Sequence, residues 1–451
     1  MKWPFDIFDP SQRHIRLHNR LVAPMTMVKE ADDIVIVRAE GTRYWDMTGK
    51  PYVDFCGGIG TAALGHGHPK IRETLAQQHK LLDFAEGGGF YYRCELTVGG
   101  KPYIISVASL AQSLIPLVFP DRRLTDYGIR MAMEVTGGTM VNATVKLFFK
   151  ARPQRKELIS WEYAFHGRHG FAQDLSNSNP VMKRDYPDPS IKVHRIPFPD
   201  SDVNMQMAID RLTEVDFRYV NAFIGEYLLG EPGFRWPVVE YMDVILELIR
   251  QKGAFLAIDE IHTGLGRTGK WFAFQHGRIV PDVVICGKAL GQCLPVSCAV
   301  YDRAIFDFKD DHILEPGWHG GTYPGYPMGV AVAIVGIDII KEEKLVENAA
   351  LMGEKLSRVL NDHTLASGEA KSCHRTGFGL MQGLEFRHPN GRPYPEWRDA
   401  VLGRLMKFEP VGIITLSAGI NDINPVIRFE PCLTCNAEDL KILDQALTHV
   451  L

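Results

Sequence analysis

No stretch of this chain runs to eighteen consecutive apolar residues, so no membrane-spanning helix is expected. Neither charge sign is in excess. Fifty lysines and arginines against 54 aspartates and glutamates leave a formal net charge of −4, which gives no electrostatic reason to expect nucleic acid or an anionic membrane as a partner. Internal repeats and low-complexity linkers are absent as well. Cysteine is sparse, at eight in 451 residues. Cys432-Leu-Thr-Cys435 has the spacing of half a zinc site, but no second such pair and no nearby histidine pair completes four ligands. Scattered, reduced and mostly buried thiols are therefore expected, and no metal. The segment Met1 to Pro10 carries acids and prolines where a secretory signal needs an apolar run, so a cytoplasmic chain is expected.

What is present is ordinary globular composition, 45% hydrophobic and 23% charged, in a chain long enough for one large domain and a smaller one. Two short apolar runs end abruptly in ionisable residues. Ala254-Phe-Leu-Ala-Ile delivers Asp259 and Glu260, and Pro281-Asp-Val-Val-Ile-Cys-Gly delivers Lys288. A buried strand ending in a charge has commonly placed it at a site, because an unpaired interior charge is costly. An acid that keeps a cofactor ring nitrogen protonated and a lysine that forms an imine are what a pyridoxal phosphate enzyme requires of its protein. Taken alone, each is equally a strand-end charge facing water.

Along the chain, residues 1–30 show no clear period, and Asp33 to Phe55 alternates as a small antiparallel meander around Gly41 and Thr48-Gly49. Pro69 opens a helix running to about Leu82. Gly87-Gly-Gly89 with Phe90-Tyr91-Tyr92 suggests a flexible aromatic loop, and the apolar run Ile104 to Val118 is read as one buried helix. From Arg130 a strand–helix rhythm sets in, with strands expected near Met131–Val135, Leu158, Val193, Ala222, Phe255, Val283 and Ser297–Val300. Such alternation predicts an α/β fold with a mostly parallel sheet covered on both faces, whose ligands sit beyond the carboxyl ends of the strands. Thr136-Gly137-Gly138-Thr139, between strand and helix, is a candidate phosphate cradle, though also a plain turn. Gly264-Leu-Gly-Arg-Thr-Gly269 matches a dinucleotide fingerprint, but Asp-Glu-Ile-His-Thr separates it from its strand, so a kinked loop beside the site is expected instead. After Gly325 come two long helices, Met328–Glu343 and Leu345–Asn361, then strands at Gly377–Phe386 and Val426–Phe429 and a last helix from Ala437.

Asp259-Glu-Ile-His-Thr-Gly-Leu-Gly-Arg-Thr-Gly-Lys-Trp271, the run through Lys288, and Gly321-Thr322-Tyr-Pro-Gly-Tyr-Pro327 together resemble the class III aminotransferases of the fold-type I pyridoxal phosphate group. The resemblance implies a large domain with a mostly parallel seven-stranded sheet, residues 71–328. A smaller α+β domain would come from both chain ends, residues 1–70 and 329–451. It gives Lys288 the imine and the proton transfers, and Asp259 the ring nitrogen. Gly137, Gly138 and Thr139 would hold the phosphate, Thr322 would reach the cofactor of a neighbouring subunit in a homodimer, and Phe165 would stack on the ring unless it is only a core aromatic. His166, Glu226 and His262 fall at cofactor-contacting positions.

Val426-Ile-Arg428 resembles the strand whose arginine grips a carboxylate, and Glu231 the glutamate that opposes it, as a gate or as a fixed ion pair. Four departures bear on the substrate: Thr139 and Asn142 stand where acids are usual, Tyr227-Leu228-Leu229 replaces Pro-x-Gln, His262 replaces Gln or Val, and the segment 85–130 is longer and more aromatic than the family's pattern. The implied reaction is transfer of an amino group from an amine or ω-amino acid to a 2-oxo acid. Racemisation, epimerisation or an aminomutase reaction on the same scaffold is the alternative.

Overall fold

The computed structural model describes residues 10–21, 34–85, 91–121, 128–185, 187–302, 318–364, 372–420 and 422–451. Elements begin with helix α1 (Pro10–Leu21), in a stretch without a clear period, and the expected meander of β1 (Ile36–Glu40), β2 (Arg43–Asp46) and β3 (Pro51–Asp54). A single left-handed turn, α2 (Gly57–Gly60), with positive φ at all four residues, leads to α3 (Pro69–Leu81).

The run expected as one helix from Ile104 is two elements. Strand β4 (Cys94–Val98) turns through Gly99-Gly100 into β5 (Lys101–Ile105), and only then does α4 (Val107–Val118) begin. Both turn glycines have positive φ, 56° and 79°, as a two-residue hairpin turn requires. Ser106 then starts the helix by accepting the Ser109 N–H at 3.0 Å. Tyr91 and Tyr92 lead into β4, whereas Gly87 to Phe90 lie outside the described residues.

The strand–helix rhythm yields β6 (Ile129–Glu134), α5 (Gly137–Ala151), β7 (Glu157–Trp161), α6 (Gly170–Leu175), β8 (Lys192–Ile196), α7 (Asp202–Glu214), β9 (Val220–Glu226), α8 (Val239–Gln251), β10 (Phe255–Asp259), β11 (Val283–Cys286) and β12 (Ser297–Asp302). Seven of these strands form one sheet in the order β6–β12–β11–β10–β9–β7–β8, parallel except where β12 runs antiparallel to both neighbours. Every residue of β9 and β11 is buried, the mark of strands covered on both faces.

Beyond it lie α9 (Pro327–Glu342), α10 (Leu345–Thr364), β13 (Ser372–Phe378), β14 (Met381–Arg387), α11 (Pro395–Lys407), β15 (Gly412–Ile414), β16 (Leu416–Ala418), β17 (Val426–Phe429) and α12 (Ala437–Val450). The chain ends meet in one sheet, because β15 pairs in parallel with β3 in the order β1–β2–β3–β15. A second four-stranded sheet, β13–β14–β17–β16, carries Arg428.

Candidate active site

Register sets the first two groups. In the parallel sheet Asp259 pairs with Glu226 on one side and Ile285 on the other. The carboxyl ends of β9, β10 and β11 therefore present Glu226, Asp259 and, three positions after Ile285, Lys288 to the same edge, where ligands of such sheets bind. Lys288 follows an extended Gly287 and takes φ 40°, a strained conformation for a side-chain-bearing residue. Burial holds its amine below the ordinary lysine range, against the pull of Glu430, Glu231 and Glu226 and with the push of Arg428.

Asp259 is braced. One oxygen lies 2.7 Å from His166 Nδ1 and the other accepts the Ile261 N–H at 3.1 Å. The far side of the His166 ring faces Ser160 Oγ at 3.3 Å, so the imidazole is held at both nitrogens, and the His166 backbone N–H donates to Ser176 Oγ at 2.8 Å, which fixes the residue. Glu260, its sequence neighbour, points elsewhere. It accepts the Ala273 and Phe274 N–H groups at 3.0 and 2.8 Å and the Thr263 hydroxyl, and burial pushes it up to about 7. It is a structural acid that ties down the loop after β10.

Glu226 accepts the N–H of Phe165 at 2.9 Å and of Gly230 at 3.0 Å, which fixes Phe165 at the same edge. Burial, then the charge of Asp259, pushes Glu226 up to about 8. The glycine-rich step after β6 is the N-terminus of α5. Thr136 accepts the Thr139 N–H at 3.3 Å, and the Thr139 hydroxyl accepts the Thr136 N–H at 3.1 Å. That reciprocal cap leaves the Gly137 and Gly138 N–H groups, at the first two helical positions, for an anion. Space is tight at two of these glycines: a Cβ on Gly137 would lie 2.6 Å from the end of the Ile261 side chain, and one on Gly167 would lie 3.0 Å from the Gly138 Cα. Ser297 ties the cap to the sheet by donating to the Thr136 carbonyl at 2.8 Å.

The small-domain side closes in through β17. Arg428 Nε lies 3.8 Å from Glu430 Oε1, and the other Glu430 oxygen is 2.7 Å from His262 Nε2. Burial, then Lys288, lowers the His262 pKa. Burial alone would raise Glu430, yet His262, Arg428 and Lys288 together hold it at about 2. Glu231, in the turn after β9, adds its charge to those acting on Lys288, and its carbonyl accepts the Gly419 N–H at 2.9 Å.

Asp259, His166, Glu226, Phe165, Lys288, His262, Glu231 and Arg428 thus meet at one sheet edge. Thr322 is exposed, beside a cleft of 970 Å³ lined by Tyr91, Arg130, Met133, His319 and Gly325 and by none of those eight residues. The sequence reading missed Glu430. Its signal was the spacing Arg428-x-Glu430, which puts both side chains on one face of a strand. The Gly264–Gly269 loop binds no strand turn to a helix. Gly266 and Gly269 take positive φ and pack against Val346 and Ala350 of α10, as a kinked loop does.

A family profile described as class-III aminotransferase matches residues 26–451. The ornithine aminotransferase of Bacillus anthracis is 32% identical over 426 residues, 93% of this chain and 94% of that protein. The acetylornithine aminotransferase of Neisseria meningitidis is 30% identical over 421 residues, 92% and 94% of the two chains. Among solved structures, a transaminase from the marine bacterium Virgibacillus superposes with a TM-score of 0.83 at 22% identity, covering 97% of this chain and 98% of its own. The ornithine aminotransferase of Toxoplasma gondii superposes at 0.80 and 23% identity, covering 98% and 95%.

Proposed function

The chain belongs to the class-III aminotransferases, and from that premise we propose how its residues divide the transfer of an amino group from an amine or ω-amino acid to a 2-oxo acid. Its cofactor is pyridoxal phosphate. The named relatives are aminotransferases, which decides against the racemase and aminomutase readings. The observation that carries the assignment is the convergence of Lys288, Asp259 and the capped N-terminus of α5 on one sheet edge.

The residues present fit the cofactor: a helix N-terminus with two bare glycines and no acid in its first turn, a buried lysine and a braced carboxylate. When bound, pyridoxal phosphate supplies an electron sink for negative charge developing at the substrate carbon. Lys288 would hold it covalently. Because burial keeps the Lys288 amine less basic than an ordinary lysine, that amine can take a proton from the substrate carbon and return one nearby. Asp259, oriented by His166, would keep the ring nitrogen protonated. Gly137 and Gly138 would bind the phosphate through their N–H groups, with Thr139 closing the cap that presents them.

Phe165, anchored through Glu226, would lie on the ring face, and His262 would stand beside the ring's phenolic oxygen. Arg428 would face a substrate carboxylate and Glu231 would oppose it. Thr322, with its exposed side chain, would complete the phosphate site of a second copy, making a homodimer the working unit. We assign the protein to the cytoplasm. The large domain would span 71–328, and residues 1–70 with 329–451 would make the small one, a division supported by the sheet that β3 and β15 share.

Purified protein should be yellow and bleach on mixing with an amine donor, with the colour restored by a 2-oxo acid. Lys288→Ala should lose turnover by several orders of magnitude, since no other group replaces its proton transfers. A Lys288→Ala protein that still cycles colour with donor and acceptor would overturn the assignment.

A further inference from the structure

Glu430 has no place in the division of roles above, yet the site is built around it. It follows β17 two residues after Arg428, so the two side chains leave the strand on the same face. Its side chain is 0% exposed. One oxygen is held by His262 Nε2 at 2.7 Å, and the other accepts no hydrogen bond among the described residues but faces Arg428 Nε at 3.8 Å. Two glycines make room for this pair. A Cβ on Gly60 would stand 3.0 Å from the His262 ring and 3.4 Å from the Glu430 carboxylate, and one on Gly230 would stand 2.5 Å from His262 Nδ1. Two separate segments thus leave space for a fixed carboxylate beside the arginine.

We propose that Glu430 is a specificity-determining residue: it meets the Arg428 guanidinium from just past the end of the same strand and biases the pocket against donors bearing an α-carboxylate, in favour of primary amines and diamines. The inference rests on reading Arg428 as the group that faces a substrate carboxylate. An incoming carboxylate gains Arg428 but approaches Glu430 as well, and two like charges a few ångströms apart in a partly buried site weaken binding by roughly ten- to a hundred-fold. A donor with a neutral or cationic far end escapes that repulsion, and a cationic end gains from Glu430 and Glu231 together. Held at about 2 by its neighbours, Glu430 stays charged across the working pH range.

The test compares the holoenzyme with Glu430→Gln, Arg428→Gln and the double variant His262→Gln/Glu430→Gln, which keeps a hydrogen-bonded pair without charge should the single change fail to fold. Two probes are used: glutarate, an unreactive dicarboxylate titrated by calorimetry, and 1,4-diaminobutane against glutamate as donors. Removing the Glu430 charge should tighten glutarate about ten-fold, lower KM for glutamate and raise it for the diamine, with kcat little changed in the single Glu430→Gln enzyme; the double variant is read by glutarate binding and the ratio of the two KM values alone. Should Arg428→Gln leave glutarate binding unaltered, Arg428 does not meet the carboxylate and the underlying reading fails. If Arg428→Gln weakens glutarate while neither Glu430 variant moves the ratio of the two KM values, the Glu430 proposal alone is overturned.

Discussion

At the scale of single residues, neighbouring acids serve opposite ends. Asp259 and Glu260 leave β10 side by side, but the first turns to His166 and the site while the second is consumed by backbone N–H groups of the following loop. Nothing in an Asp-Glu pair tells which does which; the strand's alternation decides it once one face is known. Glu430 shows the same principle with a measurable consequence. Its pKa, about 2 in the fold against an ordinary 4.5, is depressed. Its stabilisation is therefore complete above about pH 4.5 and is lost as pH falls toward about 2, on the order of 3 kcal/mol in all. Unfolding free energies from urea titrations at successive pH steps below about 5 should fall less steeply for Glu430→Gln than for the wild type. Parallel slopes would mean that the carboxylate is not held as an anion by His262 and Arg428.

Elements were legible in the sequence where period and punctuation agreed. All seven strands of the large sheet appear where expected, and β9, β10 and β11 are short buried runs ending in glycine or charge. The β4–β5 hairpin escaped notice because Ile104 and Ile105 merged with the apolar helix that follows, although Gly99-Gly100 carried the turn signal. Helix α11 escaped too, despite Pro395 at its start and buried Trp397, Val401, Leu402, Leu405 and Met406 at helical spacing. In the proposed division of roles, cofactor binding turns on the first turn of α5. Thr136→Ala removes the acceptor for the Thr139 N–H and should cost about 1 kcal/mol of stability. Because the same cap aims the Gly137 and Gly138 N–H groups, the variant should also release the cofactor several-fold faster, followed by loss of colour on dilution. A loss of stability with unchanged cofactor release would separate the cap from the phosphate site.

For the whole molecule, the site is an assembly of distant parts. Gly137 comes from the turn after β6, Lys288 from the end of β11 and Arg428 from a separate sheet, while the chain ends join through β3 and β15. The proposed homodimer adds a part from outside the chain. If Thr322 completes a partner's site, Thr322→Ala should weaken cofactor binding about ten-fold or more, the worth of a hydrogen bond to a charged group. Mixing it with Lys288→Ala subunits should then restore activity, because each mixed dimer has one site with both residues intact. Additive loss without restoration would leave each site within one chain.

By itself the sequence determined the strand order of chemistry: an acid, a lysine and a glycine-rich turn, each at a strand end, with spacing that resembled one family closely enough to imply the cofactor. Those features are local, because strand period and turn chemistry are set by residues a few positions apart. Only the tertiary structure decided that His166 braces Asp259, that Glu260 belongs to the loop, and that Glu430 and His262 stand against Arg428. Such pairings depend on which faces of separate strands and loops are packed together, and burial then sets the charge each group carries.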